Sequence, residues 1–315
     1  MADVIKKATR ESYAEALKTL AQTNDKVIVL DADLAGATKS AAFKKACPER
    51  FFDCGIAEGN MMVTAAGAST CGYIPFVSTF AMFAAGRAYE QVRNSVGYPH
   101  VNVKICATHA GVSVGEDGAT HQCNEDIALM RTIPGMTVIN PADHIEAYHA
   151  ILAAAEYVGP VYVRLGRLAV PVFNREDYRF EMGKGITLRE GSDLTIVATG
   201  LLVYEAMQAA DALAEEGISA RVINIHTIKP LDDALIRKAA RETGMLVTAE
   251  EHSIIGGLGS AVLESIAESP VPVVRLGVND QYGHSGKGAE LLKEFGLCRE
   301  GILAKARQAL SLKKG

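Results

Sequence analysis

The 315-residue chain lacks a basic excess: 32 lysines and arginines stand against 37 aspartates and glutamates, for a net charge of −5 and an isoelectric point near 5.9. A nucleic-acid binder needs a cationic footprint, so the composition argues against such a partner. It also lacks paired cysteines. Cys47, Cys54, Cys71, Cys106, Cys123 and Cys298 include no CxxC spacing, and several lie in apolar runs where a thiol packs as a small hydrophobe. A reducing cytoplasm is the expected setting, and the first residues lack the basic-then-apolar order of a signal peptide. No charge occurs between Glu58 and Arg87, but Asn60, Pro75 and repeated Gly, Ser and Thr interrupt that run. It predicts a buried helix, a turn and a strand, not a membrane span. No fixed-period repeat is present, which excludes a solenoid.

The length fits two domains, each with its own core. Short β-branched runs alternate with helical stretches, the pattern of α/β domains in which mostly parallel sheets carry helices on both faces. Strands are expected at Lys26–Leu30, Phe51–Cys54, Val101–Ala107, Thr137–Ile139 and Val161–Arg164, then at Asp193–Ala198, Ala220–Ile225, Met245–Ala249 and Val271–Leu276. Helices are expected over Ala2–Thr23, His144–Glu156 and Tyr204–Glu216. A charged, aperiodic segment from Asn174 to Gly185 marks the linker, giving a first domain over 1–175, a linker over 176–190 and a second domain over 191–315.

Thr108 to Gln122 places His109, His121, Glu116 and Asp117 in a glycine-punctuated loop after an apolar strand, the composition of an active-site loop. Upstream, Gly55 to Met61 sets Glu58 at the head of the uncharged run, where a carboxyl is suited to sharing a proton with a ligand. Open parallel sheets bind ligands beyond the carboxyl ends of their strands. Asp31 and Asp33, Glu58, His109 and Arg167 each follow an expected strand, so four strand ends deliver polar groups to one sheet edge. Gly256 to Ser260 lacks full GxGxxG spacing and is expected to be a structural turn into a helix. Glu250, Glu251, His252 and His284 have no catalytic assignment and are candidates for an interface.

Gly55 to Met61, Ser78 to Phe83, Val114 to Gln122, Ile133-Pro134 and Val138 to Asp143 follow one another in an order that resembles the C-terminal part of transketolase, over nearly the whole chain. The resemblance implies a pyrimidine-binding domain followed by a transketolase C-terminal domain, and thiamine diphosphate as cofactor. Glu58 would bond the aminopyrimidine ring nitrogen and promote the tautomer that activates the thiazolium carbon. A first-turn helix carboxylate is the plainer reading of the same residue. Phe80 and Phe83 would pack on the aminopyrimidine, although two phenylalanines three apart also suit a plain core. Asp33 would face the thiazolium, or else cap the turn after its strand. His121 would stabilise the ketose carbonyl oxygen or relay its proton, and Asp117 would read donor hydroxyls. Arg10, His109 and Arg167 would hold the sugar phosphate.

The chain departs from the family pattern at Gly86, where a third aromatic is usual and Tyr89 could substitute, at Ala110-Gly111 in place of Asp-Ser, and at Ala37 in place of a phosphate-contacting serine. It also contains no Gly-Asp-Gly, the loop through which the family holds Mg2+ or Ca2+ on the diphosphate. That loop is expected on a separate N-terminal subunit, making this chain one half of a split transketolase in an α2β2 heterotetramer that acts on ketose and aldose sugar phosphates. The rivals are the β subunit of a 2-oxo acid dehydrogenase E1 component and a deoxyxylulose-phosphate synthase. The intact Gly115-Glu-Asp-Gly-Ala-Thr-His-Gln122 argues against the first, whereas Arg87-Ala-Tyr-Glu-Gln91 leans toward the second.

Overall fold

The computed structural model describes residues 5–313. Its strands are β1 (Lys6–Ala8), β2 (Val27–Asp31), β3 (Phe51–Asp53), β4 (Ile74–Phe80), β5 (Lys104–Thr108), β6 (Thr137–Ile139), β7 (Val161–Arg164) and β8 (Ala169–Pro171), followed by β9 (Ile186–Arg189), β10 (Leu194–Ala198), β11 (Ala220–Asn224), β12 (Thr227–Lys229), β13 (Leu246–Ser253) and β14 (Val273–Val278). The first sheet runs β12-β6-β7-β5-β4-β2-β3 and the second β14-β13-β10-β11-β9. Within these two sheets every pairing is parallel except at the edges formed by β12 and β9. All residues of β2, β5, β7, β10 and β11 are buried, as strands covered on both faces require.

The expected first helix is shorter than its pattern. Lys6–Ala8 pair antiparallel with Ala169–Pro171, and the helix occupies Thr9–Thr23, its start fixed by the Ala8 amide donating to Glu11 Oε2 at 3.3 Å. Ala2 to Val4 of that expected helix lie outside the described residues. Within the expected linker, Ile186–Arg189 pair with β11 and belong to the second sheet.

The two sheets are not separate bodies. β12, from the second half of the sequence, pairs with β6 of the first sheet, Thr227 opposite Ile139. One apolar cluster runs from Ile28, Leu30 and Ile105 through Val138 to Val197, Ile223 and Leu246, joining both halves. Arg164, 4% exposed at the end of β7, clamps the junction: its Nε donates to Asp126 Oδ2 at 2.8 Å and its Nη2 to the Glu251 carbonyl at 2.9 Å. Tyr162 donates to the same Asp126 oxygen at 2.8 Å.

Glu251 sits in this junction with Oε1 accepting from the Ser113 amide at 2.7 Å. Burial pushes its carboxyl up to about 7, partly offset by Arg164 and the Ser113 bonds. A carboxyl whose folded value lies above its unfolded value binds its proton more tightly when folded, so its contribution to stability falls as pH rises from about 4.5 to about 7. Glu251→Gln keeps the Ser113 acceptor and removes the titration. The variant should gain stability relative to the parent across that window, by on the order of 3 kcal/mol at its upper end. Denaturant titrations at pH 5 and pH 7.5 check this, and an equal difference at both pH values would refute it.

Candidate active site

Four rings meet beyond the carboxyl ends of β4 and β5. Phe80 ends β4, and Phe83 follows on a segment wound as a π-turn from Phe83 to Arg87. Their rings stack at 5.8 Å between centroids. His109, one residue past β5, stacks on Phe80 at 3.8 Å, while His121 meets Phe83 edge-on at 5.4 Å and Phe80 at 6.3 Å. The loop carrying His121 is pinned by buried Gln122, whose Nε2 reaches the carbonyls of Val112 (3.2 Å), Gly115 (3.1 Å) and His284 (2.9 Å).

His109 adopts φ +58° and is buried. Arg10 Nη1 lies 3.1 Å from Nε2, and Thr108 Oγ1 lies 2.8 Å from Nδ1. Because a guanidinium only donates, Nε2 accepts and the proton sits on Nδ1, donating to Thr108. Burial, then Arg10, Arg167, His121 and Lys39, pushes the imidazole down to about 3, so it is neutral at physiological pH.

Glu58 opens the helix Glu58–Thr70 and is 2% exposed. Its Oε1 accepts from Arg87 Nη1 at 3.4 Å; Arg87, 58% exposed, lies 4.9 Å over the Phe83 ring. Glu58 and Phe83 therefore share one wall through Arg87, which sequence reasoning noted only as the next charge and as part of a rival's motif. Its approach depends on the π-turn, a one-residue irregularity without periodic signal. Phe83 and Arg87 also line an open cleft of about 1020 Å3, faced by Asn124, Glu125, Asp280 and Tyr282.

The remaining expected residues are less tightly grouped. Arg10 donates to the Ala37 carbonyl at 3.1 Å. Arg167 pairs with Glu116 (3.2 Å) and Asp117 (3.8 Å), both exposed. Asp33 is exposed at φ +61°, and its amide donates to Asp53 Oδ1 at 3.2 Å. The turn after β2 is capped by Asp31 instead, whose Oδ1 accepts from the Leu34 amide at 2.6 Å. Among the described residues, no group of three or more His, Cys, Asp or Glu is placed to hold a metal ion, and no helix is long and apolar enough to cross a membrane.

A model of the transketolase pyrimidine-binding domain matches residues 5–172, and one of the transketolase C-terminal domain matches residues 183–302. The chain belongs to the transketolase family. It is 51% identical over 300 residues to a Methanocaldococcus jannaschii protein named as a transketolase C-terminal section, covering 94% of each. It is 42% identical to a 6-deoxy-6-sulfo-D-fructose transketolase subunit of a Clostridium species, covering 96% of this chain and 95% of that one. Against human transketolase it is 39% identical over 95% of its own length but only 48% of the longer protein. Among solved structures, a split-gene transketolase described as an inactive β4 tetramer superposes with a TM-score of 0.89 at 53% identity, covering 97% of this chain and 99% of that one. The chain thus corresponds to the C-terminal section of a split transketolase.

Two departures from the transketolase pattern have local causes. A Cβ on Gly111, at φ +79°, would fall 2.3 Å from the Glu251 carboxyl, so the buried Glu251 dictates glycine there. At Gly86 a Cβ would fall 2.3 Å from the Met82 methyl, the flexible end of that side chain, which would have to swing aside for a larger residue. The Tyr89 hydroxyl is 2.8 Å from Thr132 Oγ1 and donates to the Leu129 carbonyl at 3.4 Å. The Gly256–Ser260 stretch leads into the helix Leu258–Ser265, with Glu250 accepting from the Leu258 (2.6 Å) and Gly259 (2.8 Å) amides.

Proposed function

We propose that the chain supplies the pyrimidine-side half of a thiamine-diphosphate-dependent transketolase that moves a two-carbon ketol unit from a ketose phosphate to an aldose phosphate. The observation that carries this reading is Glu58, buried at a helix start beside an aromatic wall and paired with a largely exposed arginine. These residues fit an aminopyrimidine: the phenylalanines offer flat apolar surface, and Glu58 offers a carboxyl to a ring nitrogen. The cofactor, when bound, supplies the carbon nucleophile that opens and re-forms the bond beside the ketose carbonyl.

Glu58 holds the proton at the ring nitrogen. His121, half-buried against Phe83, faces the reacting oxygen, and its Nδ1 is oriented by Thr120 Oγ1 at 2.9 Å. His109 stays neutral with both ring nitrogens engaged, so its contribution to phosphate binding is to hold Arg10 in place. Arg167 provides a second guanidinium once substrate competes with Glu116 and Asp117 for it, with Asp117 then left for the donor hydroxyls. Asp33 complements the thiazolium charge from the exposed end of β2.

The metal and diphosphate site falls to an N-terminal subunit, in an α2β2 assembly in the cytoplasm. The 48% coverage of human transketolase and the inactivity of the neighbouring β4 tetramer support the need for that partner. Relatives named for sulfofructose and for apulose 4-phosphate mark the sugar itself as the variable part.

The test is ketol transfer from xylulose 5-phosphate to ribose 5-phosphate with thiamine diphosphate and Mg2+, using each subunit alone and both mixed. Activity only in the mixture is expected. A mixture that instead decarboxylates a 2-oxo acid would move the assignment to the dehydrogenase or synthase branch, and turnover by this chain alone would refute the missing half.

A further inference from the structure

Arg87 links the buried carboxyl of the site to its aromatic wall. It closes the π-turn that Phe83 opens, the Ala88 amide donating across the turn to the Phe83 carbonyl at 3.0 Å, so the two side chains rise from the same side of one turn. The guanidinium lies 4.9 Å over the Phe83 ring, and its Nη1 donates to Glu58 Oε1 at 3.4 Å.

Two other carboxylates, Glu125 and Asp280, line the same cleft as Arg87 and are exposed. Among the described residues Arg87 pairs with neither, and its one carboxylate partner is Glu58, at 2% exposure. Glu58 in turn accepts on one oxygen: among the described residues no donor reaches its Oε2. A guanidinium is planar, stacks flat on a ring and donates in a fixed fork. Its seat on Phe83 therefore sets the direction from which it meets Glu58, and a carboxyl held at Oε1 has its plane fixed and Oε2 left over.

We propose that Arg87 is a positioning residue: resting on Phe83, it holds Glu58 Oε1 so that Oε2 is presented to the ring nitrogen of the aminopyrimidine. This rests on the transketolase reading of the site. Arg87 is 58% exposed, so water screens the pair in this chain. Cover by the cofactor and the N-terminal subunit lowers the local dielectric and strengthens the hold.

In the two-subunit enzyme, Arg87→Met should weaken thiamine diphosphate binding, read by titration calorimetry, about ten-fold in the parent background and less than about two-fold in the Glu58→Ala background. A residue that acts through Glu58 has nothing to act on once that carboxyl is gone. At saturating cofactor, kcat should fall about ten-fold while KM for xylulose 5-phosphate changes less than about two-fold, the pattern of a misaligned group with the sugar contacts intact. Because Arg87 is largely exposed, the variant should melt within about 2 °C of the parent, which separates these effects from unfolding. Equal loss of cofactor affinity in both backgrounds overturns the proposal, and so does a kinetic effect confined to KM. A parent complex that does not bind thiamine diphosphate would sink the transketolase reading and this role with it. Binding by the parent that Arg87→Met leaves unchanged would sink the role of Arg87 alone.

Discussion

Glu58→Gln should lower kcat for ketol transfer by roughly a thousand-fold in the two-subunit enzyme while leaving the fold intact, the scale of losing a positioned proton donor. The substitution is isosteric at a 2% exposed site, so packing around the helix Glu58–Thr70 is preserved. Its ion-pair partner Arg87 is 58% exposed and can return to water, so no buried charge is stranded. An amide cannot pass a proton to a ring nitrogen, and catalysis alone should suffer. The measurement is kcat beside a thermal melt; activity within ten-fold of the parent would remove Glu58 from the mechanism.

The second large effect lies in stability. Arg164→Met should cost about 3–5 kcal/mol, because Asp126, fully buried, loses the charge that compensates it. The loss extends to both halves of the chain, since the same guanidinium reaches the Glu251 carbonyl and, at 3.4 Å, that of Cys123. A chain of 315 residues should show a drop of roughly 4–8 °C in melting temperature. The double variant Asp126→Asn with Arg164→Met should recover part of the loss, since an unpaired buried charge is the main penalty. A single variant that melts within 2 °C of the parent would show that Asp126 is satisfied without the guanidinium and would refute the buried-charge penalty.

Much of this architecture is legible in the sequence. The fully buried strands β2, β5, β7, β10 and β11 are short runs rich in apolar and β-branched residues, and polar residues of the site follow the carboxyl ends of β2, β5 and β7. The short strands β1, β8, β9 and β12 are not legible, because three or four residues set no period and their partners are remote in sequence: Lys7 opposite Val170, Thr227 opposite Ile139. The π-turn leaves no pattern either, so the reach of Arg87 to Glu58 had no signal beyond its being the first charge after that carboxylate. Asp31 and Asp33 illustrate a different ambiguity: both follow one apolar run, and only burial tells the cap from the exposed neighbour. Gly111 is a departure from the family pattern in the loop, and the sequence could not reveal that a glutamate 140 positions away occupies the space.

The strand β12 also bears on how such a chain can be inherited. Because residues 227–229 finish the edge of the sheet built by the first half, cutting between Pro171 and Ile186 would leave β6 with an unpaired edge open to aggregation and the other fragment with an orphan strand. The two halves are thus a poor pair of modules for shuffling. Recombination that exchanged only the second half would have to import a strand matching the recipient's β6, so the two segments are constrained to evolve together even where one carries all of the proposed chemistry.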